Sequence, residues 1–124
     1  MHTVCWTPTF LTQANRHGLS EEQMGNIVNT LADDPLAGDV IPATGGARKL
    51  RHPGHGGGKS GGYRTIHYFG GADVPVFLLA VYGKGTKANL TKAEKNELAS
   101  VLPTIADAYR ANATLLTGKR RGKK

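Results

Sequence analysis

Two strand-like runs separated by a short turn constrain the fold of this chain more than any other feature. Tyr63–Phe69 and Val76–Tyr82 are rich in β-branched and aromatic residues, and Gly70–Pro75 joins them. Runs of this composition with a short connection predict an antiparallel β-hairpin. The second run is apolar at almost every position, which is typical of a strand that is covered on both faces.

Two helices are predicted in the first third of the chain. Phe10–His17 forms a short one, which Gly18 ends. A second begins after Ser20, because Ser20 and Gln23 match a capping box. Four apolar residues then recur at helical spacing and predict one buried stripe: Met24, Ile27, Val28 and Leu31.

Two further strands are predicted, at His2–Trp6 and Ala47–Arg51. The last helix begins at Thr91, where Glu94 completes a second capping box, and Pro103 is expected to kink or split it. The resulting order is β-α-α-β-β-β-α. This order predicts an α+β fold in which helices pack on a small sheet that contains antiparallel strands.

The 124 residues are enough for one core and too few for two, so residues 1–118 are predicted to form a single domain. Residues 119–124 are expected to be a flexible basic tail. No apolar run approaches the roughly 18 residues of a membrane-spanning helix, and no signal-peptide pattern begins the chain. Because Cys5 is the one cysteine, the chain is expected in the reducing cytoplasm.

The net charge of +7 is distributed unevenly along the chain. Residues 1–47 carry one basic and five acidic side chains, whereas residues 48–90 carry seven basic and one acidic. Residues 91–118 are balanced, and residues 119–124 add five positive charges. Positive charge concentrated around the predicted sheet favours a polyanionic partner, and RNA is the first candidate.

Two other kinds of site are disfavoured by the sequence. Lys59 and Ser60 resemble the end of a phosphate-binding P-loop, but Pro53 stands where the pattern needs glycine, and a strand-like run follows instead of a helix. A metal site has no nearby carboxylate to complete it. The residues considered for that metal site are Cys5, His52, His55 and His67.

The basic residues fit a site that cleaves RNA through the adjacent 2′-hydroxyl. That reaction needs proton transfer at two oxygens and positive charge at the phosphate. Arg64, on a strand, is suited to hold the phosphate through its planar guanidinium. By strand parity His67 lies on the face opposite Arg64 and is predicted to be a packed strand histidine. Three lysines can add charge: Lys49, Lys59 and Lys84. Three side chains can move protons: Tyr82, His52 and His55.

Further side chains are predicted to bind RNA around these residues: Arg48, Arg51, His52, His55 and Lys87. Composition by itself favours an alternative, in which the whole set is a binding surface for RNA or for an acidic protein, without chemistry. The sequence pattern of the basic region favours the site that cleaves RNA over a surface that only binds.

Three stretches of the chain read GDVIPATGGARKLR, GKSGGYRTIHYF and VFLLAVYGKGTKANLTKAEKNEL. They resemble the HigB-type branch of the RelE/ParE toxin superfamily. Members of that branch carry GD-I-x-GTGG-x-RK-x-R, then GK-x-GG-x-R-x-IYYF, then a strand that ends Y-A/G-K-N-E-K-x-DL. The resemblance covers about residues 36–98, in the family's order and spacing.

The resemblance implies a RelE-like microbial RNase fold and a toxin of a type II toxin–antitoxin pair. Such a toxin binds the ribosome and cuts the mRNA there, without a metal or cofactor. Its antitoxin is a separate helix-turn-helix protein of HigA type, through which the complex reaches operator DNA; no membrane partner is implied. By position, Arg64 matches the phosphate-contacting arginine, and Lys84 the lysine that closes the last strand. Lys49, Arg51 and Lys59 match basic positions before and within the loop.

The chain departs from the family pattern at three positions. Gly85 stands where the branch usually has Asn, and Asn89 where it usually has Asp. Thr91 stands about where RelE has its catalytic tyrosine, so the proton-transfer residues are left open. The related ParE branch acts on DNA gyrase, and a non-cleaving toxin of that kind is the alternative. The basic cluster favours RNA.

Overall fold

The fold comes from a computed structural model that describes residues 2–52, 62–83 and 90–122; beyond residue 111 it describes only the backbone. The elements in these residues are β1 (Val4–Trp6), α1 (Pro8–Arg16), α2 (Glu21–Asp33), β2 (Asp39–Val40), β3 (Arg48–His52), β4 (Tyr63–Tyr68), β5 (Val76–Gly83) and α3 (Lys92–Gly122). This is the expected α+β fold, with β2 as an additional strand.

The strands form one mixed sheet in the order β1-β5-β4-β3-β2. β4 and β5 pair antiparallel, which confirms the predicted hairpin, and β5 is an interior strand, as its apolar sequence indicated. β1 pairs parallel with β5, with Val4 opposite Val76, so the beginning of the chain forms one edge. On the other side of β4, β3 and β2 continue the sheet antiparallel.

Helices cover both faces of the sheet, and each face has its own apolar cluster. On the α1/α2 face, Phe10 of α1 and Leu31 of α2 are fully buried in a cluster with residues of β5. On the α3 face, Leu102 of α3 is fully buried in a cluster with residues of β4 and β5. This cover on both sides is the reason that β5 is apolar throughout.

Two capping boxes fix the starts of α2 and α3, as predicted. The Ser20 hydroxyl accepts the N–H of Gln23 at 3.1 Å, and the Gln23 side chain accepts the N–H of Ser20 at 2.8 Å. Thr91 and Glu94 form the same reciprocal pair at 3.2 and 2.8 Å. Each box satisfies two of the backbone donors that the first turn of a helix leaves without partners.

α1 begins at Pro8, earlier than the predicted Phe10. Thr7 is the N-cap, and its hydroxyl accepts the N–H of Phe10 at 3.2 Å. A proline in the first turn costs no hydrogen bond, because the N–H it lacks would have no acceptor within the helix. Pro8 therefore ends the pairing of β1 and begins α1 at the same point.

β2 was not predicted; a tight turn between β2 and β3 forms it. The buried Thr44 hydroxyl donates to the Ile41 carbonyl at 2.7 Å and accepts the Ala47 N–H at 3.0 Å, which closes the turn from inside. Gly38, just before β2, has φ +86°, and a Cβ there would collide with the backbone carbonyl of Lys49. Glycine at this position therefore permits the close approach of β2 to β3.

α3 is continuous across Pro103, so the helix is not split there. Proline removes the hydrogen bond to the carbonyl four residues earlier. The carbonyl that loses this hydrogen bond is that of Ala99. It lies beside the turn between β2 and β3, since a Cβ on Gly45 would be 3.8 Å from its oxygen. α3 extends to Gly122, and the division of the chain after residue 118 stays a prediction. Within the described ranges, none of the helices is both long enough and apolar enough for a membrane crossing.

Arg110 ties α3 to the turn between β4 and β5. Its guanidinium donates to the Asp73 carboxylate at 2.6 and 3.2 Å and to the Gly70 carbonyl at 3.3 Å. The hydrogen bond from Arg110 is the main cause that lowers the pKa of Asp73. Because this turn is the closed end of the hairpin, the Arg110–Asp73 pair fixes α3 at the end of the sheet remote from Tyr63 and Gly83.

Candidate functional site

Three side chains lie in a row across the sheet near the open end of the β4–β5 hairpin. Arg64 of β4 is directly opposite Arg51 of β3 and Tyr82 of β5. Directly opposed residues on neighbouring strands share a face of the sheet. Tyr82 packs against the cluster on the α3 face, so all three side chains belong to that face. We call Arg51, Arg64 and Tyr82 the site row.

A β-bulge in β5 determines the face on which Tyr82 lies. The register between β4 and β5 skips Leu79, an extra residue between Leu78 and Ala80. Leu78 belongs to the α1/α2-face cluster, whereas Leu79 and Ala80 both belong to the α3-face cluster. Strict alternation from Leu78 would have directed Tyr82 to the α1/α2 face. The bulge reverses the alternation and brings Tyr82 to the face of Arg64.

Lys49 extends the positive charge along β3. It is opposite Ile66, a member of the α3-face cluster, so it lies on the same face as the site row. Arg51 is exposed, whereas Lys49 and Arg64 are half-buried. Like charges directly opposite on paired strands are destabilising, so the juxtaposition of Arg51 and Arg64 favours an anion between them. We call Lys49, Arg51 and Arg64 the basic face.

Arg48 lies on the other side of the sheet from the basic face, because it is opposite the buried His67. Its Nη1 donates to the carbonyls of Leu36 and Gly38 at 2.9 and 3.1 Å. Arg48 therefore holds the segment before β2 in place. The structure does not bring it together with the site row, and its RNA-binding role stays a prediction.

Two histidines are buried on the α1/α2 face. His67 Nε2 lies 3.1 Å from the Pro35 carbonyl; since a carbonyl only accepts, Nε2 carries the proton and Nδ1 is an acceptor without a partner among the described residues. Burial is the main cause that lowers the pKa of His67 to about 4. Burial also lowers the pKa of His52, whose Nε2 is 2.9 Å from the Thr65 hydroxyl. His67 is the packed strand histidine that the sequence predicted, and His52 lies away from the site row.

Several of the predicted residues lie outside the described part of the chain: His55, Lys59, Lys84 and Lys87. The P-loop alternative falls on the same undescribed segment, but β4 follows it where a P-loop needs a helix. Among the described residues, no three His, Cys, Asp or Glu side chains are grouped as metal ligands. Cys5 packs against the α3-face cluster, whereas His67 lies on the opposite face.

The site row and Lys49 have the groups that phosphodiester chemistry requires. A guanidinium offers paired N–H donors to two phosphate oxygens. Opposed residues on antiparallel strands have Cα atoms about 4.5–5.5 Å apart, so the long side chains of Arg51 and Arg64 can contact one phosphate or two successive ones. The Tyr82 phenol both donates and accepts a hydrogen bond. Because all three stand on paired strands, they are positioned before a substrate binds.

The sequence did not indicate that α1 contributes to this site. The Gln13 side chain accepts the N–H of Val81, next to Tyr82, at 2.9 Å. The His17 ring lies against Gly83, where a Cβ would be 3.0 Å from Nδ1. Gln13 is a polar position in the short helix α1 and His17 is its C-cap, and no motif distinguishes them from solvent-exposed positions.

A comparison with protein families places the chain among the toxins of toxin–antitoxin systems. The family model of the RelE toxin of the RelE/RelB toxin–antitoxin system matches residues 3–120. The chain belongs to the RelE toxin family. The match spans α1, α2 and α3 as well as the hairpin, and it confirms the RelE/ParE relationship that the three stretches indicated.

Family membership gives the general role of the protein. Toxins of this family generally inhibit translation and are generally endoribonucleases. Membership also implies an antitoxin partner. The basic face and Tyr82 are the described groups that suit an RNA substrate.

Proposed function

We propose that this protein is a HigB-type toxin that cuts mRNA on the ribosome and thereby inhibits translation. The observation that carries the proposal is the site row: two arginines and a tyrosine directly opposite one another on the α3 face. Two guanidinium groups opposite each other on one face offer several N–H donors to a bound phosphate. The row stands at the open end of the hairpin, in the strand pairs next to Tyr63 and Gly83.

Arg64 is the proposed phosphate ligand. It occupies the middle of the row, on the central strand β4, with Arg51 and Tyr82 on either side. Its paired N–H donors fit two non-bridging phosphate oxygens, whose negative charge grows as the phosphorus becomes five-coordinate. Lys49 and Arg51 add positive charge, and the sequence predicts the same role for Lys59 and Lys84.

The proposed reaction uses the RNA's own 2′-hydroxyl as nucleophile. The hydroxyl loses its proton, its oxygen bonds to the adjacent phosphorus, and the bond from phosphorus to the 5′-oxygen breaks. The departing oxygen takes up a proton, which leaves a 2′,3′-cyclic phosphate and a 5′-hydroxyl. Tyr82 is the described side chain that can move a proton in the row. The proposed mechanism is metal-independent, with the basic face supplying the positive charge at the phosphate.

The proposed partners follow from the substrate and the family. The ribosome presents the mRNA, and the basic face supplies electrostatic attraction to both. The proposed antitoxin is a HigA-like helix-turn-helix protein, which connects the toxin to operator DNA. The proposed place of action is the cytoplasm, where translation occurs.

Mapping of mRNA ends tests this proposal. Two reporter mRNAs that differ only in a working or a disabled start codon are expressed with the toxin, and their 5′ ends are mapped by primer extension. We expect new ends within codons of the translated reporter and none in its untranslated twin. Growth arrest with unchanged ends in both reporters contradicts mRNA cleavage.

The same experiment separates the alternative, a toxin that acts on DNA gyrase without cutting RNA. In that case the reporters stay intact and gyrase-dependent supercoiling of a plasmid is lost. The basic face favours RNA over this alternative, because two opposed arginines provide phosphate contacts on a rigid surface.

A further inference from the structure

α1 takes the place of a neighbouring strand along the end of β5. β1 pairs with β5 only from Val76 to Leu78, and Thr7 then donates its N–H to the Leu78 carbonyl at 3.0 Å. The next residue, Pro8, has no N–H and begins α1. The rest of this edge of β5 therefore meets side chains of α1 and its two caps.

Three of these side chains contact alternate positions of β5. The Thr7 hydroxyl donates to the Leu79 carbonyl at 3.3 Å. The Gln13 Oε1 accepts the Val81 N–H at 2.9 Å. The His17 ring lies against the backbone of Gly83. The first contact is with the bulged residue Leu79 itself, and the second is two residues further along β5.

The bulge is the feature that turns Tyr82 to the α3 face. A bulge leaves the ladder locally irregular, and it persists only when other groups satisfy its backbone. Here Leu79 and Val81 find those groups in α1. A β5 that kept Leu79 but alternated regularly through it would direct Tyr82 to the α1/α2 face, away from Arg64.

We propose that Gln13 is a positioning residue of the site, which holds the β5 bulge and thereby keeps Tyr82 beside Arg64. This inference rests on the proposed function for its effect on cleavage, whereas its claim about the position of Tyr82 stands on the structure alone. Gln13 does not touch the substrate; it acts through Val81 and Tyr82. The amide oxygen is the essential atom, because it receives the Val81 N–H.

Substitutions at Gln13 with and without an acceptor test this inference. Gln13→Met keeps the length of the side chain and removes the acceptor, whereas Gln13→Glu keeps an oxygen in place. Thr12→Val is the matched control on α1, since its hydroxyl donates only to the Pro8 carbonyl, at 3.0 Å, on the exposed side. We expect Gln13→Met to lower kcat for cleavage of ribosome-bound mRNA on the order of 10- to 100-fold, with KM nearly unchanged. Gln13→Glu and Thr12→Val should stay close to wild type.

Two further measurements separate positioning from loss of stability. In a Tyr82→Phe background, Gln13→Met should lower kcat little further, because both changes act on one group. NMR contacts of the Tyr82 ring should connect it with the α3-face cluster in the wild type and in Gln13→Glu, and weaken in Gln13→Met. If Gln13→Met does not fold, Gln13→Asn, whose acceptor is one methylene short, makes the same comparison.

Each outcome decides the inference. Wild-type kcat and an unmoved Tyr82 ring in folded Gln13→Met overturn it, as do fully additive losses in the double variant. If the wild type cuts no mRNA, the proposed function fails, and the ring contacts alone decide whether Gln13 positions Tyr82.

Discussion

Arg51 and Arg64 face each other directly across β3 and β4, on the α3 face of the sheet. Two opposed cations on paired strands are unfavourable in a protein without a ligand. A phosphate bound between the two guanidinium groups offsets this repulsion, because its negative charge attracts both of them. We therefore expect substitutions in this pair to change both stability and phosphate binding.

Substituting Arg64 tests the proposed phosphate ligand. We expect Arg64→Ala to lower cleavage on the order of 10²–10³-fold and to abolish growth inhibition, since a positioned donor to the reacting phosphate is lost. Arg64→Lys should recover only part of the activity, because an ammonium cannot offer the paired donors. Arg16→Ala, an exposed arginine in the last turn of α1, is the matched control and should remain toxic. Full toxicity of stably expressed Arg64→Ala would remove Arg64 from the site.

Arg51→Gln should make the protein more stable and less active. Removing one of two opposed cations raises the free energy of unfolding by about 0.2–1 kcal/mol, and the gain should shrink as salt screens the repulsion. RNA affinity should fall and depend less on salt, because one phosphate contact is lost. Urea unfolding and RNA binding, each at two salt concentrations, measure both effects. A loss of stability in Arg51→Gln would show that the two arginines do not repel one another.

His67 should make the protein sensitive to acid. Its pKa is lowered from 6.5 to about 4, first by burial and further by the charges of Arg48 and His52, against the opposing effects of the Pro35 carbonyl and Asp34. The unfolded chain therefore binds a proton between these two pH values, while the folded protein does not. Stability is fully present above pH 6.5 and is lost as pH falls toward 4, by up to about 3 kcal/mol.

Unfolding by urea at pH 7, 5.5 and 4.5 checks this expectation. His67→Gln can still donate to the Pro35 carbonyl and does not titrate, so its stability should vary less with pH than that of the wild type. Some dependence should remain, because burial also lowers the pKa of His52. Parallel profiles for the two proteins would show that His67 does not cause the acid sensitivity.

Gly38 and Gly25 form a matched pair for backbone effects. Gly38→Ala should lower the free energy of unfolding by more than about 1 kcal/mol, because φ is +86° and the new Cβ meets the Lys49 carbonyl. Gly25→Ala, inside α2 with nothing within 4 Å of the new Cβ, should raise it by about 0.5–1 kcal/mol. Thermal unfolding of both variants measures the contrast. Equal shifts in the same direction would mean that the approach of β2 to β3 does not depend on glycine.

Local sequence signals predicted the elements whose causes are themselves local. Both capping boxes, Ser20 with Gln23 and Thr91 with Glu94, are present as hydrogen-bonded pairs. The apolar run of β5 indicated an interior strand, and the parity of β4 placed His67 on the face opposite Arg64.

The features that the sequence did not predict depend on contacts between distant residues. β2 exists because the Thr44 turn brings it onto β3, and the parallel pairing of β1 joins residues more than 70 positions apart. The bulge at Leu79 is satisfied by Gln13 and Thr7, which no local pattern connects with β5. For the same reason, the sequence predicted that Arg48 binds RNA together with the other cations. Its position on β3 places it on the opposite face of the sheet.

The parallel pairing of β1 with β5 also orders the events of synthesis. β1 contains residues 4–6, yet its partner strand does not leave the ribosome until residues 76–78 have been made. Until then α1 and α2 lack the strand against which they pack, and the sheet lacks the strand that carries the bulge. A growing chain shorter than this therefore has no assembled site. The site row is therefore among the last parts of the sheet to form, because it needs Tyr82 on β5 as well as Arg51 and Arg64.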